Sequence, residues 1–383
     1  MIMRRYFQAI AILSVTAAAV MSGGVFALHY QGGSGAVSRQ PVVWATWVPP
    51  AEASVDMAGP SRRLPQADDA TLRLVAVGDI MLSRNVAAQI RKFGWDYPFA
   101  GERELLKSGD IVFGNLEAPI IAGPIVKTGD MVFHADPGAE NALRDAGFTV
   151  LSLANNHLPN YGAAGIRETL TRLKKAGIAA SGAGKDLAEA AAPALVAANG
   201  RVVAFLSYND NDVVPASYGA RDDHPGTNLM DRQRLPADLA AIRDKADIVI
   251  VSMHSGTEYV PGPNKRQTAF AHAAIEAGAD MVIGHHPHVV QSAEIYRGKP
   301  IFYSLGNFAF DQLWSEETKR GIILVADFDR RGLRRIGLVP LCMKDYGRPE
   351  TCDETTAAAI IARLGLTVEK TPEGRYILSE SSL

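Results

Sequence analysis

Short apolar runs rich in β-branched residues recur along the chain and alternate with amphipathic stretches. Each run is typical of a buried strand, because a strand covered on both faces needs no polar alternation. The runs span residues 72–77, 111–114, 149–153, 202–207, 248–253, 281–283, 301–303 and 322–327. Residues 165–176 and 265–277 place apolar side chains at helical spacing, and Gly177 and Gly278 suit the ends of these helices. The pattern predicts an α/β domain.

The first 70 residues follow a different pattern. Two arginines precede an almost wholly apolar run over residues 6–28. This arrangement predicts either a cleaved signal peptide or an N-terminal membrane anchor at residues 1–28, and therefore an extracytoplasmic protein that is exported or tethered to the cytoplasmic membrane. Residues 29–70 are rich in Pro, Gly, Ala and Ser, which predicts a flexible linker.

Composition narrows the possibilities for the remainder of the chain. Residues 71–383, about 310 residues, are enough for one large domain or two small ones. The net charge is −2, from 39 basic and 41 acidic residues, so no strong field favours nucleic acid as a partner. Cys342 and Cys352 are the only cysteines. In an oxidising compartment this pair is compatible with one disulfide, although the sequence leaves open whether it forms, and two cysteines alone do not make a zinc site.

A histidine cluster at the end of one predicted strand points to a metal. His285, His286 and His288 follow the run 281–283 in a chain with nine histidines. In extended backbone, residues i and i+2 project to the same side, so His286 and His288 are expected to point together. Pro287 disfavours helical backbone at His286, and we expect the pair to be extended where the strand leaves the sheet. A polar turn with backbone hydrogen bonds is the alternative, but this spacing favours a metal or catalytic role.

Other predicted strands also end in polar side chains. These are Asp79, Asn115 and Glu117, Asn156 and His157, and His254 and Glu258. Ligands in α/β folds gather beyond the carboxyl ends of strands, so we expect these side chains to share one site with the histidine cluster. A carboxylate can bridge two cations about 3.5–4 Å apart, while imidazole and amide oxygen complete their coordination. The sequence therefore predicts a divalent-cation site.

Six motifs in a fixed order over residues 72–310 resemble one family. They are Gly78-Asp79-x-Met81, Asn115-Leu116-Glu117, Ala154-Asn155-Asn156-His157, His254-x-Gly256-x-Glu258-Tyr259, Gly284-His285-His286-Pro287-His288 and Ser304-Leu305-Gly306-Asn307-Phe308. In this order they resemble the CapA family of capsule or poly-γ-glutamate synthesis proteins, which is similar in fold to the calcineurin-like metallophosphoesterases. The resemblance implies a four-layered α/β/β/α sandwich over residues 71–345, followed by a C-terminal extension over residues 346–383. It also implies an extracytoplasmic role in making or exporting an anionic polymer.

The resemblance further implies a role for each motif residue. Asp79 and His288 would hold one metal, Asn156, His254 and His286 a second, and Glu117 would bridge the two. The ions would be one or two divalent metals, Mn, Zn, Fe or Mg. His157 would donate a proton to the substrate or leaving group. Because a divalent cation lowers the pKa of bound water to about 7, the expected nucleophile is hydroxide attacking a phosphoester or γ-glutamyl-type bond.

Supporting residues are expected around these ligands. Arg84 is the best candidate to meet an anionic substrate, because guanidinium suits both carboxylate and phosphate. Asn115, Glu258 and His285 are expected to contact substrate or to orient ligands. For Glu258 the alternative is a hydrogen bond that shapes its own loop.

Two positions depart from the pattern of metallophosphoesterases. Met81 stands where the Asp-x-His motif has its histidine, and a thioether is a poor ligand for Mn²⁺ or Mg²⁺. Asn160 stands where the family is expected to favour Asp, so one local charge is missing. Two hypotheses follow. The first is a hydrolase acting on an anionic polymer or a phosphoester, and the alternative is a non-catalytic accessory protein that binds an anionic polymer or membrane synthase and export subunits.

Overall fold

The structure is a computed structural model that describes residues 71–372 and 375–378. The predicted signal peptide or anchor at residues 1–28 and the predicted linker at 29–70 lie outside these ranges. Among the helices that are described, none has the length and apolar character needed to cross a bilayer.

Strands and helices alternate along most of the described chain. The strands are β1 (Leu72–Ile80), β2 (Ile111–Leu116), β3 (Val150–Ser152), β4 (Ala179–Ser181), β5 (Ala183–Gly184), β6 (Ala194–Ala198), β7 (Arg201–Asn209), β8 (Gly226–Thr227), β9 (Ile248–His254), β10 (Met281–His285), β11 (Ala293–Tyr296), β12 (Lys299–Phe302), β13 (Asn307–Ala309), β14 (Arg320–Asp329), β15 (Gly332–Lys344), β16 (Arg348–Thr351), β17 (Glu369–Lys370) and β18 (Tyr376–Leu378). The α-helices are α1 (Arg84–Phe93), α2 (Arg103–Lys107), α3 (Ala139–Ala146), α4 (Gly162–Ala176), α5 (Leu187–Ala191), α6 (Leu235–Arg243), α7 (Lys265–Glu276) and α8 (Glu354–Leu364). Two short 3₁₀ helices span Leu158–Tyr161 and Ala216–Tyr218.

Within the described ranges, two main sheets form. The larger has the order β17-β18-β15-β14-β1-β2-β3-β4, with β13 paired to β1 and β16 to β15, and the smaller has the order β11-β12-β10-β9-β7-β6. Strands β1 to β4 run parallel to one another. Strands β7, β9, β10 and β12 are likewise parallel. Each sheet therefore gathers the carboxyl ends of its central strands at one edge.

The two sheets pack face to face, and helices cover their outer faces. Between the sheets, Phe113 of β2 stacks on Phe205 of β7 with ring centroids 5.2 Å apart. The outer face of the larger sheet packs with residues of α1 to α4, and that of the smaller sheet packs with α6 and α7. This arrangement confirms the predicted four-layered α/β/β/α sandwich.

The C-terminal segment is part of the same body. β18 pairs antiparallel with β15, and α8 buries Ile360 and Leu364 in the core between the sheets. A disulfide joins Cys342 of β15 to Cys352, a bond that the sequence left open. The residues described beyond 345 therefore extend the larger sheet.

All eight predicted strand segments are strands, and both predicted helices form. Gly177 and Gly278 follow these helices with φ of 77° and 109°, which relieves the steric cost that a side chain would impose there. β15, the longest strand of the described chain, was not predicted from the sequence, because its first half carries arginines and lacks an apolar run.

Candidate metal centre

Asp79 reaches the centre because β1 passes very close to the chain after β12. A Cβ atom on Gly78 would lie 1.9 Å from the carbonyl oxygen of Gly306, so only glycine fits beside it. The backbone N–H of Asp79 donates to that carbonyl oxygen across 3.0 Å. Met81, by contrast, packs in the core under the helices. The close approach therefore places Asp79, whereas the Met81 thioether accepts from the backbone N–H of Ser83 across 3.1 Å.

Asn115 and Glu117 come from the end of β2, the neighbour of β1. Asn115 Nδ2 lies 2.8 Å from Asp79 Oδ1, 3.3 Å from Glu117 Oε2 and 3.3 Å from His254 Nδ1. Glu117 is fully buried, and its Oε1 has no hydrogen-bond partner among the described residues. Burial, followed by the charges of Asp79 and Glu258, raises the pKa of Glu117 well above its usual range.

The second sheet supplies His254 at the last position of β9. Its Nε2 lies 2.9 Å from Asn156 Oδ1, and its Nδ1 faces the Asn115 amide. Because an amide N–H must donate, Nδ1 is the acceptor and Nε2 carries the proton in this arrangement. Burial lowers the pKa of His254 well below its ordinary value, so the ring is neutral near pH 7. Asp79, Glu117 and His254 offer ligand atoms that all lie within 4.8 Å of one another.

His286 and His288 converge on the same centre, but the expected extended backbone is wrong. β10 ends at His285, and the φ angles of His286 and His288 are 98° and 56°, in the left-handed region. Ordinary side chains rarely adopt this region, so surrounding contacts must hold the turn. The backbone N–H of His286 donates to Asp79 Oδ2 across 3.2 Å and supplies one such contact.

The two rings nevertheless face each other and the carboxylates. The centroid of His286 lies 4.7 Å from His254 and 6.1 Å from His288. His286 Nδ1 is buried, and no hydrogen-bond partner for it exists within the described ranges. Burial lowers the pKa of His286 to about 3. His288 Nε2 lies 3.7 Å from Glu117 Oε1.

Asn307, to which the sequence analysis gave no role, orients His288. Its Nδ2 donates to the carbonyl oxygen of Thr318 across 3.0 Å, which identifies its other terminal atom as oxygen. That oxygen lies 3.0 Å from His288 Nδ1, so Nδ1 must donate and the ring is held with Nε2 towards Glu117. The motif that contains Asn307 was identified in the sequence. Its contact with His288 was not, because the contact forms only when two separate loops meet in the folded protein.

His285 ties the sheets together away from the centre. Its Nε2 lies 3.2 Å from the carbonyl oxygen of Val77 in β1, and its Nδ1 lies 3.5 Å from the Ser252 hydroxyl in β9. The ring is fully buried, and burial lowers its pKa. His285 therefore supports the site by joining β1 to β10.

His157 lies beside the ligand-type residues with a defined tautomer. Asn160 Oδ1 accepts from the backbone N–H of Phe133 across 2.7 Å, so it can only accept from His157 Nδ1, 3.0 Å away. The ring also stacks on Phe133 with centroids 3.9 Å apart. Burial lowers the pKa of His157 to about 4. The ring is therefore neutral near pH 7, with Nε2 free to accept a proton.

Arg84 lies next to this group but is already engaged. Its guanidinium forms an ion pair with Asp311 at 2.5 Å and lies 4.5 Å from the centroid of the Phe133 ring. Its Nε is buried and has no hydrogen-bond partner in the part of the chain that is described. Arg84 lowers the pKa of Glu117, while Glu258 raises it, so both charges act on the centre.

Asn155 is a second residue that the sequence analysis left without a role. It is fully buried, and its Nδ2 donates to the carbonyl oxygen of Leu116 and to Asn115 Oδ1 at 2.8 and 3.1 Å. Its Oδ1 accepts from the backbone N–H groups of His157 and Leu158. Asn155 therefore joins the end of β2 to the turn that presents Asn156 and His157.

The donor set fits a divalent cation. A buried carboxylate oxygen and a buried imidazole nitrogen both lack partners among the described residues, and such orphaned groups are rare in native proteins. Carboxylates with neutral imidazoles are ligands for Mn²⁺, Fe²⁺ and Zn²⁺. The sequence-predicted residues Asp79, Glu117, Asn156, His254, His286 and His288 are thus brought together between the carboxyl ends of the two sheets.

The fold and the site define the class of this protein. It is a layered α/β sandwich in which buried carboxylates and histidines form a candidate metal centre. Residues 73–312 match the family described as bacterial capsule synthesis protein PGA_cap. The chain therefore belongs to this bacterial capsule synthesis family, which confirms the predicted resemblance.

Two relatives named CapA agree with that assignment. The chain is 35% identical to the capsule biosynthesis protein CapA of Bacillus anthracis, over 81% of this chain and 74% of the relative. It is also 35% identical to the PGA biosynthesis protein CapA of Bacillus subtilis, over 71% of this chain and 72% of the relative. Among solved structures it is similar to the calcineurin-like phosphoesterase YfkN of Bacillus subtilis, at 12% identity and a TM-score of 0.42, over 74% of this chain and 89% of that one.

Proposed function

We propose that this chain is an extracytoplasmic, metal-dependent hydrolase of capsule or poly-γ-glutamate synthesis, acting on a phosphoester or γ-glutamyl-type bond. The observation that carries the proposal is Glu117, a fully buried carboxylate whose Oε1 has no hydrogen-bond partner among the described residues. A buried charge is stable only when it is paired, protonated or bound to a metal. Burial raises the pKa of Glu117 and favours its protonated form. A divalent ion would stabilise the ionised carboxylate, because His254 and His286 are neutral near pH 7 and cannot pair with it as cations.

The proposal assigns the metal to Asp79, Glu117, Asn156, His254, His286 and His288. A bound divalent cation would polarise the bond to be cleaved and lower the pKa of a water molecule. His157 is the proposed proton donor. Because Asn160 holds Nδ1 as a donor, Nε2 of the neutral ring would first take up a proton and then pass it to the leaving group. Arg84 and Asp311 would form one wall of the site, and Arg84 would meet an anionic substrate only if the substrate competes with its ion pair to Asp311.

Metal content tests the proposal directly. The full-length protein is incubated with Mn²⁺ or Zn²⁺, freed of unbound ion and analysed for metal per chain. We expect one or two equivalents in the wild type and a loss in Glu117→Gln, which keeps the shape but removes the charge. Glu102→Gln is the matched control, because Glu102 is also buried but bonds to Thr351 instead of the centre. A wild-type protein without bound metal would contradict the proposal.

A second candidate, a non-catalytic accessory protein, is favoured by the position of Asn115. Its amide nitrogen lies within 3.3 Å of acceptor atoms on Asp79, Glu117 and His254. The two N–H groups of this neutral amide can serve two of the three acceptors and could hold the fold together without a cation. The site would then grip an anionic polymer or a subunit of the synthase or export machinery. Undiminished polymer production in a strain carrying Glu117→Gln would favour this candidate, whereas lost production together with lost metal favours the hydrolase.

We further propose that residues 1–28 carry the protein out of the cytoplasm, either as a cleaved signal or as an anchor. The apolar run over 6–28 after two arginines supports this placement. In a strain that produces the protein without residues 2–28, cell fractionation should find the protein in the cytoplasm. Export of the shortened chain would contradict the proposal.

A further inference from the structure

Two large aromatic side chains, Tyr259 and Trp314, are exposed beside the candidate metal centre. Tyr259 is 42% exposed and Trp314 is 61% exposed, and their rings meet edge to face with centroids 5.7 Å apart. The Tyr259 ring also lies nearly parallel to His288, 6.3 Å away. We call Tyr259 and Trp314 the aromatic wall. It extends from a histidine of the centre out to solvent.

The backbone holds Tyr259 in place at a steric cost. Its φ is 65°, which is unusual for a bulky residue and persists only where neighbouring contacts enforce it. Its N–H donates to the carbonyl oxygen of Pro287 across 2.8 Å. The buried Gln291 donates from Nε2 to the carbonyl oxygens of Val260 and Gly262 at 2.8 and 3.0 Å. The loop that carries Tyr259 is therefore fixed, although the Tyr259 side chain is partly exposed to solvent.

Trp314 is presented by a second fixed loop. Asp311, three residues earlier, is buried in its ion pair with Arg84. Gln312, also buried, accepts a hydrogen bond at Oε1 from Asn307 Nδ2 across 3.2 Å. The loop of Trp314 thus shares its anchors with the groups that surround the metal centre.

The place of these two rings beside the centre, more than their exposure, points to a ligand. Isolated apolar side chains on a surface are common and need no function. Here, however, two aromatic rings contact each other, one lies against a histidine of the centre, and both loops are held by buried side chains. Strain and exposure of this kind concentrate at binding sites.

We propose that the aromatic wall stacks against a flat ring of the substrate, next to the bond that is cleaved. The proposal rests on the hydrolase function above, because it assigns the wall to the substrate of that same site. Exposed aromatic side chains bind flat faces such as those of aryl groups, bases and sugar rings. The wall therefore selects substrates in which a ring adjoins the phosphoester or γ-glutamyl bond.

Binding of matched probes to the full-length protein tests the wall without requiring turnover. Phenyl phosphate and n-hexyl phosphate have the same number of carbons but differ in flatness, and γ-glutamylanilide and γ-glutamylhexylamide form a second such pair. Calorimetry in the presence of Mn²⁺ gives the Kd of each probe. We expect the wild type to prefer the ring in at least one pair, and Trp314→Ala to weaken that ring-bearing probe about tenfold, as for the loss of one stacking contact.

Controls separate stacking from a general change in the protein. Tyr259→Phe keeps the ring and should keep the preference. Phe93→Ala removes another exposed aromatic residue, 57% exposed and stacked on Tyr97, and should change neither Kd. Two results would overturn the proposal. One is an equal loss of affinity for ring-bearing and chain-bearing probes in Trp314→Ala, and the other is a wild type that shows no ring preference in either pair. If the ring preference is lost in Trp314→Ala while neither pair is hydrolysed, the wall stands and the hydrolase function fails.

Discussion

Asparagine side chains decide which nitrogen of two histidines near the centre remains free. Asn307 accepts from Nδ1 of His288, and Asn160 accepts from Nδ1 of His157. These contacts leave Nε2 of each ring as the nitrogen available for the roles proposed above, metal binding by His288 and proton transfer by His157. The Asn at position 160, expected to be Asp in the family, still makes this contact. Asn160 lacks the negative charge of an aspartate, and that charge would have favoured a protonated His157 ring.

The ligand role of His286 can be tested at one residue. His286→Ala removes a buried imidazole whose Nδ1 is unpartnered in the described part of the chain, and we expect metal affinity to fall by about a hundredfold or more and turnover to be lost. Metal titration followed by calorimetry measures the first, and hydrolysis assays the second. His272→Ala is the control, because that histidine lies on α7 and bonds to Glu294. Full turnover in His286→Ala would show that His286 has no part in the proposed site.

The ligand-type residues could be predicted from the sequence, but the predicted backbone conformation of two of them is wrong. Pro287 was expected to hold His286 and His288 in extended conformation, whereas both have positive φ. A local rule about residues before proline was overridden by long-range contacts, among them the bond from the His286 N–H to Asp79. Such contacts join residues that are far apart in the sequence.

At the scale of elements, the site depends on how closely β1 approaches the chain after β12. Gly78 lies where a Cβ would meet the backbone of Gly306 at 1.9 Å, and Gly284 of β10 lies where a Cβ would meet the carbonyl oxygen of Tyr303 at 2.0 Å. Each glycine directly precedes a polar residue of the site, Asp79 or His285. The glycines in the motifs therefore serve the packing that places those residues.

Gly78→Ala should therefore damage both stability and the site. We expect unfolding to become easier by about 2 kcal/mol or more, as for overpacking a tight core, and metal affinity to fall because Asp79 shifts. Chemical denaturation and metal titration measure the two effects. Gly262→Ala is the control, since its added Cβ meets nothing within 4 Å among the described residues. Equal stability of the two variants would refute the explanation.

A charged clamp joins β1, β14 and β15 at the opposite end of the larger sheet. Asp327 of β14 accepts hydrogen bonds from Arg73 of β1 and Arg335 of β15. Burial alone would raise the pKa of Asp327, but the bonds from the two arginines outweigh it and hold the pKa below its usual value. The carboxylate is therefore favoured in the folded protein.

Because its pKa is lowered on folding, Asp327 contributes stability that is present at neutral pH and lost as pH falls through the pKa of the folded protein. Asp327→Asn should lower the free energy of unfolding at pH 7 by about 1 kcal/mol, given that both arginines are partly exposed. The difference from the wild type should shrink below pH 4. Urea unfolding at several pH values measures it, and a difference that does not change with pH would be inconsistent with the clamp.

For the whole molecule, the disulfide between Cys342 and Cys352 closes the turn that leads from β15 to α8. A loop of this length is expected to stabilise the fold by about 2–3 kcal/mol, chiefly by restricting the unfolded chain. It links the last strands and α8 to the sheet that carries Asp79 and Glu117. The bond also agrees with the proposed location in an oxidising compartment.

Cys352→Ser should lower the free energy of unfolding by that amount when the wild type is oxidised. With a reductant present, the wild type and the variant should become nearly equal, because neither then has the bond. Denaturation with and without reductant measures both states. A variant that remains equally destabilised in reductant would show that the serine, and not the lost bond, is responsible.

The sequence by itself determined the class of fold, the family and the kinds of side chain at the site. Apolar runs of strand length identify strands whatever their partners are, and polar residues directly after those runs must collect at the carboxyl edge of a parallel sheet. Only the tertiary structure decided the left-handed turn at His286 and His288, the support from Asn155 and Asn307, and the meeting of Tyr259 with Trp314. Each of these depends on loops from distant parts of the chain lying within a few ångströms of one another, which no local pattern of residues specifies.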